Sequence, residues 1–207
     1  MRKATRTVAK LFGITASLAA LEHGYFEILQ GNVRPVGVMF PSWGADICDP
    51  TRAWHACEPA MSILPNFLVI GILTVLLSLV VLIWSGWFIH RKQGGLILIL
   101  LAIALLLTGG GFFPPVIALA GGFAAMKIHH PIVGKPNGLT RFASKLWPAA
   151  PIIYLVWTFG QFAFGYFFND FLKSIMGFGL LVILGSVALS VYSAYAHDVV
   201  EQNKVEI

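Results

Sequence analysis

Apolar residues gather in five stretches of this chain, separated by short polar segments. A helix that crosses a bilayer needs about 20 apolar residues at 1.5 Å rise each. The first stretch, about Val8 to Leu29, is apolar from Val8 to Leu21 apart from Lys10, and then turns polar. The second, Asn66 to Ile89, is nearly all Leu, Val and Ile, and Trp84, Trp87 and Phe88 near its end form an interfacial aromatic belt. Trp147–Phe168 and Lys173–Ala196 have the length and character of two further spans.

Leu96–Met126 behaves differently. As one helix, its 31 residues would reach about 46 Å, too long for a hydrocarbon core of about 30 Å even when tilted. It is also interrupted by Gly109-Gly110-Gly111-Phe112-Phe113-Pro114-Pro115. Glycine entropy, missing proline N–H donors and ring clash stop a helix there. The pattern therefore predicts a tight hairpin of two short helices, about Gly94–Thr108 and Pro114–Lys127. The expected fold class is all-α: a polytopic helical membrane protein of about six transmembrane helices, the third and fourth short and joined by a Gly/Pro hairpin. Residues 1–207 form a single membrane domain, with 30–65 as a lid loop within it.

Charge sharpens the topology. With the N-terminus in the cytoplasm, six spans leave eleven Lys and Arg on the inner side and three, Arg34, Arg52 and Lys173, on the outer side. A single crossing by Leu96–Met126 would give seven on each side. The positive-inside rule favours six spans, both termini cytoplasmic and the 30–65 loop outside, with the plasma membrane as the expected location. Composition agrees: 57% of residues are hydrophobic, 11% are charged and mean hydropathy is +0.80. Too few charges remain to cover a water-exposed surface, which excludes a soluble enzyme, a disordered tail and a free nucleic-acid binder. The net charge of +5 and pI near 9.4 then record loop sidedness, not a nucleic-acid partner. Basic Met1–Lys10, apolar Leu11–Leu21 and small Ser17-Leu18-Ala19 also have the form of a signal peptide. We carry the segment forward as a retained span. Cleavage would leave Glu22, His23 and Glu27 at a wet terminus.

The 30–65 loop is rich in Pro, Gly and Trp and holds both cysteines, Cys48 and Cys57. On an oxidising outer side they are expected to form a disulfide that staples the lid. A redox-active pair is less fitting, because membrane thiol oxidases use two pairs and often a C-x-x-C. Cys48, His55 and Cys57 offer zinc only three irregular ligands where a structural site takes four, so no metal is expected. Trp43, Trp54 and Phe40 are expected to rest the lid on headgroups or helix ends.

The candidate chemistry lies in Glu22-His23-Gly24-Tyr25-Phe26-Glu27, followed by Gln30. His23, Glu27 and Gln30 are spaced i, i+4, i+7 and share one helix face. Gly13, Ser17, Ala20 and Gly24 form a small-residue stripe on the same helix, suited to close helix packing. The polar residues edge that stripe and are expected to point into the bundle. Glu22, Thr108 and Gln161 each lie fourteen residues along an outward-running helix, which predicts one outer-leaflet level for all three. The candidate site is thus Glu22, His23, Glu27, Gln30, Thr108 and Gln161.

A carboxylate beside an imidazole can pass a proton. With amide and hydroxyl neighbours it can also bind a cation. The expected function is a membrane protein binding a proton, a cation or a small amphipathic ligand at this site. One alternative is a membrane-embedded enzyme using the cluster for acid/base chemistry on a lipid-like substrate. Another is a structural or accessory subunit, in which Glu22 pairs with His23, Arg34 or Arg52 and merely fastens the loop. The bilayer is the expected partner, with a homo-oligomer or membrane complex left open, and the sequence names no cofactor. Elsewhere, Ser186, Ser190 and Ser193 read as helix packing, and His129-His130 as a basic loop facing anionic headgroups.

Overall fold

A computed structural model describes residues 1–42, 58–131 and 135–205. Eight helices occur among them: α1 (Lys3–Gln30), α2 (Phe67–Ile83), α3 (Gly94–Leu107), α4 (Phe113–Met126), α5 (Gly138–Ser144), α6 (Ala149–Phe167), α7 (Asn169–Ser174) and α8 (Met176–Val205). A π-helical turn, Trp84–Phe88, extends α2. Two short strands, β1 (Met39–Pro41) and β2 (Pro59–Met61), pair antiparallel with Phe40 opposite Ala60. The chain is thus almost all helical, and the strands are an addition that the apolar pattern does not signal. Cys48, Cys57, Trp43, Trp54, Arg52 and His55, and with them the expected disulfide, lie outside the described residues.

Three helices are long and apolar enough to cross a membrane: Phe67–Phe88, Ala149–Phe167 and Met176–Lys204. Their surfaces are turned inside out relative to a soluble bundle. On α2 the exposed stripe is Ile72, Leu76, Leu79 and Ile83, while the buried side carries Gly71, Thr74 and Ser78 beside Phe67, Ile70 and Val81. On α8 the buried stripe is Ser186, Ser190 and Ser193, and Leu181, Leu184 and Leu189 face out. Small residues inside and large apolar ones outside suit helices solvated by lipid, where close backbone packing takes the place of hydrophobic burial.

α1 is the hub, packing on α2, α4 and α8. The small-residue stripe does what its spacing suggests: Gly13, Ser17, Ala20 and Gly24 are all buried. Gly13 abuts Ser85 of the π-helical turn. At the α1–α2 crossing a Cβ on Gly71 would stand 2.6 Å from the Gly24 carbonyl oxygen. α3 and α4 pack on one another as a hairpin, with Gly95 against Gly122. The expected boundaries hold to within a residue or two for this hairpin and for α2 together with its π-helical turn. α1 and α8 differ. α1 begins at Lys3, not Val8, and α8 continues to Val205, beyond the expected Ala196. Tertiary contact supplies the reason. Asp198 of α8 accepts from Ala4 N (3.0 Å), Thr5 N (2.8 Å) and Thr5 Oγ1 (2.7 Å), capping α1 from another helix, where its own N-cap Arg2 offers no side-chain bond. α5 packs against α8 and gives its lengthened part a partner.

The β1–β2 hairpin is fastened over one end of the bundle. Ile63 N donates to Leu107 O (3.1 Å), Phe67 N to Val33 O (2.9 Å) and Leu68 N to Gly31 O (3.0 Å). Phe40 packs edge-on to Phe67, 4.9 Å between centroids, over Ala60 and Ile70. The lid therefore touches the end of α1, the start of α2 and the α3–α4 turn. We call this the lid end. The opposite end carries the start of α1 and the close of α8.

Candidate functional site

Glu27 lies on α1, one turn past the Gly24–Gly71 crossing, and is 0% exposed. The Thr74 hydroxyl of α2 neighbours its carboxyl, but donates to Thr108 O at 2.6 Å. Both Glu27 oxygens are thereby left without a hydrogen-bond partner among the described residues. Buried polar groups are rarely left this way, and a buried carboxyl more rarely still.

The α3–α4 turn closes over this carboxyl. Gly109 (φ +103°) and Gly111 (φ +75°) adopt left-handed backbone that a side chain resists, and Gly111 N donates to Gly109 O at 2.7 Å. A Cβ on Gly109 would stand 2.8 Å from Glu27 Oε2 and nearer still to Oε1. One on Gly111 would stand 2.5 Å from His23 Nε2. Glycine is needed here for two reasons at once, the sign of φ and the contact beneath.

His23, one helical turn before Glu27, is 3% exposed, and its Nε2 lies 3.6 Å from Glu58 Oε1. Glu58 directly precedes β2, and its side chain is a quarter exposed. A partly wet carboxyl on the lid thus stands near a buried imidazole, and one turn further along α1 a dry carboxyl lies under the glycine turn.

The expected site residues divide as follows. His23, Glu27 and Thr108 converge, Thr108 through its carbonyl bond to Thr74 and through Gly109 next to it. Thr108 therefore meets Glu27 and not the Glu22 level that residue counting suggests. Glu22 is half-buried on α1. Gln30 is a lid fastener, its Nε2 donating to Ser42 O at 3.2 Å. Gln161 is half-buried on α6, a helix that packs on α8 and meets α1 lower down, where Thr15 Oγ1 and Tyr154 Oη are 2.8 Å apart. From that contact Glu22 and Gln161 are each seven residues onward along their own helices, about 10 Å. Sequence reasoning misses Glu58, Thr74 and the glycines as site components. Thr74, one of two hydroxyl residues within an apolar span, and the run of three consecutive glycines are the signals that could have found them.

No group of three His, Cys, Asp or Glu side chains placed to hold a metal ion occurs among the described residues. Neither of two surface cavities touches the site. One, of about 370 Å³, lies between the stretch after α1 and the start of α2. The other, of about 660 Å³, lies at the opposite end of the bundle. No model of a known protein family, no curated protein and no solved structure matches this chain.

Proposed function

We propose that this chain is an integral membrane protein whose acid–imidazole site binds and hands on a proton. Glu27 is the terminal acceptor, His23 the intermediate and Glu58 the partly wet entrance. The observation that carries the reading is a fully buried Glu27 carboxyl with no hydrogen-bond partner among the described residues. Taking an unpaired carboxylate out of water costs several kcal/mol. Such a pocket demands a positive charge, and a proton is the only one that needs no added room. The glycine turn against Glu27 and His23 leaves little space for an amphipathic ligand or a lipid-like substrate. This favours the proton over those two readings. The membrane setting is part of the proposal: six crossings, both termini cytoplasmic, the lid outside. The exposed apolar stripes of α2 and α8 support the membrane setting.

Purified protein in liposomes tests this by infrared difference spectroscopy between acid and alkaline buffer. A high-frequency band from a protonated carboxyl free of hydrogen bonds, distinct from those of the hydrated carboxyls, is expected in the parent protein and is expected to vanish in Glu27→Gln, which preserves shape. A band that survives the substitution would overturn the proton assignment. If instead added sodium or calcium at fixed pH stabilises the parent but not Glu27→Gln, the site holds a metal cation and the proton reading fails.

A further inference from the structure

The opposite end of the bundle carries a second feature, independent of the acid–imidazole site. A groove of about 660 Å³ runs between α4 and α8. Its walls are apolar, with Phe123 on α4 and Leu184, Val187 and Val191 on α8. Its end is cationic, lined by Arg2, Lys127 and His130, and no acidic side chain lines it. From Leu184 to Tyr195 the lining extends eleven residue steps along α8, about 16 Å. That is close to the depth of one leaflet, half of a core of about 30 Å.

Arg2 is the unusual member. It is only 5% exposed, and its guanidinium carbon lies 4.4 Å above the Tyr195 ring. Nη2 donates to Pro131 O at 3.3 Å, while Nε and Nη1 have no acceptor among the described residues. Asp198, which accepts from Thr5 beside the groove, is already engaged by the N–H groups of α1. A buried guanidinium with two donors, Nε and Nη1, that meet no acceptor among the described residues suits an oxyanion such as a phosphate. Lys127 is exposed beside it and adds positive charge at the mouth, where His130 is exposed too.

We infer that the α4–α8 groove binds one anionic phospholipid of the bilayer. Its phosphate rests on Arg2, Lys127 and His130, and an acyl chain lies against Phe123, Leu184, Val187 and Val191. An apolar trough of leaflet depth that ends in a basic cluster fits this ligand better than a free anion, which would leave the apolar walls unused. On the proposed topology the groove opens to the inner leaflet, where basic pockets between helices meet anionic headgroups.

The test uses the full chain in dodecyl maltoside, titrated with phosphatidylglycerol, phosphatidylcholine or inorganic phosphate. Thermal unfolding and native mass spectrometry give the readouts. Phosphatidylglycerol is expected to raise the midpoint saturably, with one tightly held lipid, and phosphatidylcholine to do so much less. Arg2→Gln is expected to weaken the phosphatidylglycerol response about tenfold or more. Ala188→Trp, at an exposed groove position remote from Arg2's bonds, is expected to abolish it by filling the trough. It keeps the test decisive if Arg2→Gln fails to fold. Equal responses to the two lipids, an unchanged response in Ala188→Trp, or reproduction of the shift by inorganic phosphate would each overturn the assignment.

Discussion

Two carboxyls are buried at opposite ends of this bundle, and their surroundings could hardly differ more. Asp198 is 9% exposed and accepts three hydrogen bonds, two from the first N–H groups of α1 and one from the Thr5 hydroxyl. Glu27 is 0% exposed and accepts none among the described residues, while the nearest hydroxyl turns its proton elsewhere. Burial alone therefore does not define what a carboxyl does in this fold. Its partners do. A carboxylate met by donors at a helix N-terminus ties two helices together. The oxygens of Glu27 tie nothing together among the described residues.

The comparison can be broken by substitution, and the largest effect is expected at Asp198. Asp198→Ala should lower stability by about 3 kcal/mol, because it removes charge-assisted bonds and leaves buried donors unpaired. Denaturant titration in detergent checks this against Glu27→Gln, for which a change within about 1 kcal/mol is expected. A loss at Glu27 as large as that at Asp198 would show that the two carboxyls serve alike. Next in size is Gly111→Ala. It places a methyl against His23 in left-handed backbone, and a loss of about 2 kcal/mol is expected. The same substitution should disturb the infrared carboxyl signal, whereas Asp198→Ala should leave that signal in place wherever the protein stays folded. Smallest is Gln30→Ala, which removes one bond to the lid and should cost about 1 kcal/mol. Protease cleavage after Arg34 would report it as faster opening of the lid.

The same two groups mark how far the sequence could be read. Long apolar runs with small residues at helical spacing made the helices, the glycine hairpin and the packing stripe of α1 legible, since these depend on local period. His23 and Glu27 were legible as a pair because i and i+4 is itself a local relation. Their partners were not. Glu58 stands 35 positions from His23 in the chain, and nothing in its own neighbourhood signals an imidazole nearby. Gly109 and Gly111 read as helix breakers, which they are, but only the folded hairpin reveals what lies beneath them. Asp198 was invisible as a cap because sequence reading seeks caps beside the helix they serve, and this one comes from another helix. Element ends suffered for the same reason.

The bond from Asp198 to Thr5 also sets an order in time. The two residues are 193 positions apart, so at roughly 5–20 residues per second the acceptor leaves the ribosome about 10–40 s after the donor. Throughout that interval α1 exists with its leading amides lacking the side chain that will finally hold them. Its last bond closes only when the distal part of α8 has been made. A nascent chain stalled before that point would carry nearly every helix of the finished bundle and yet lack the clasp between its two most distant helices.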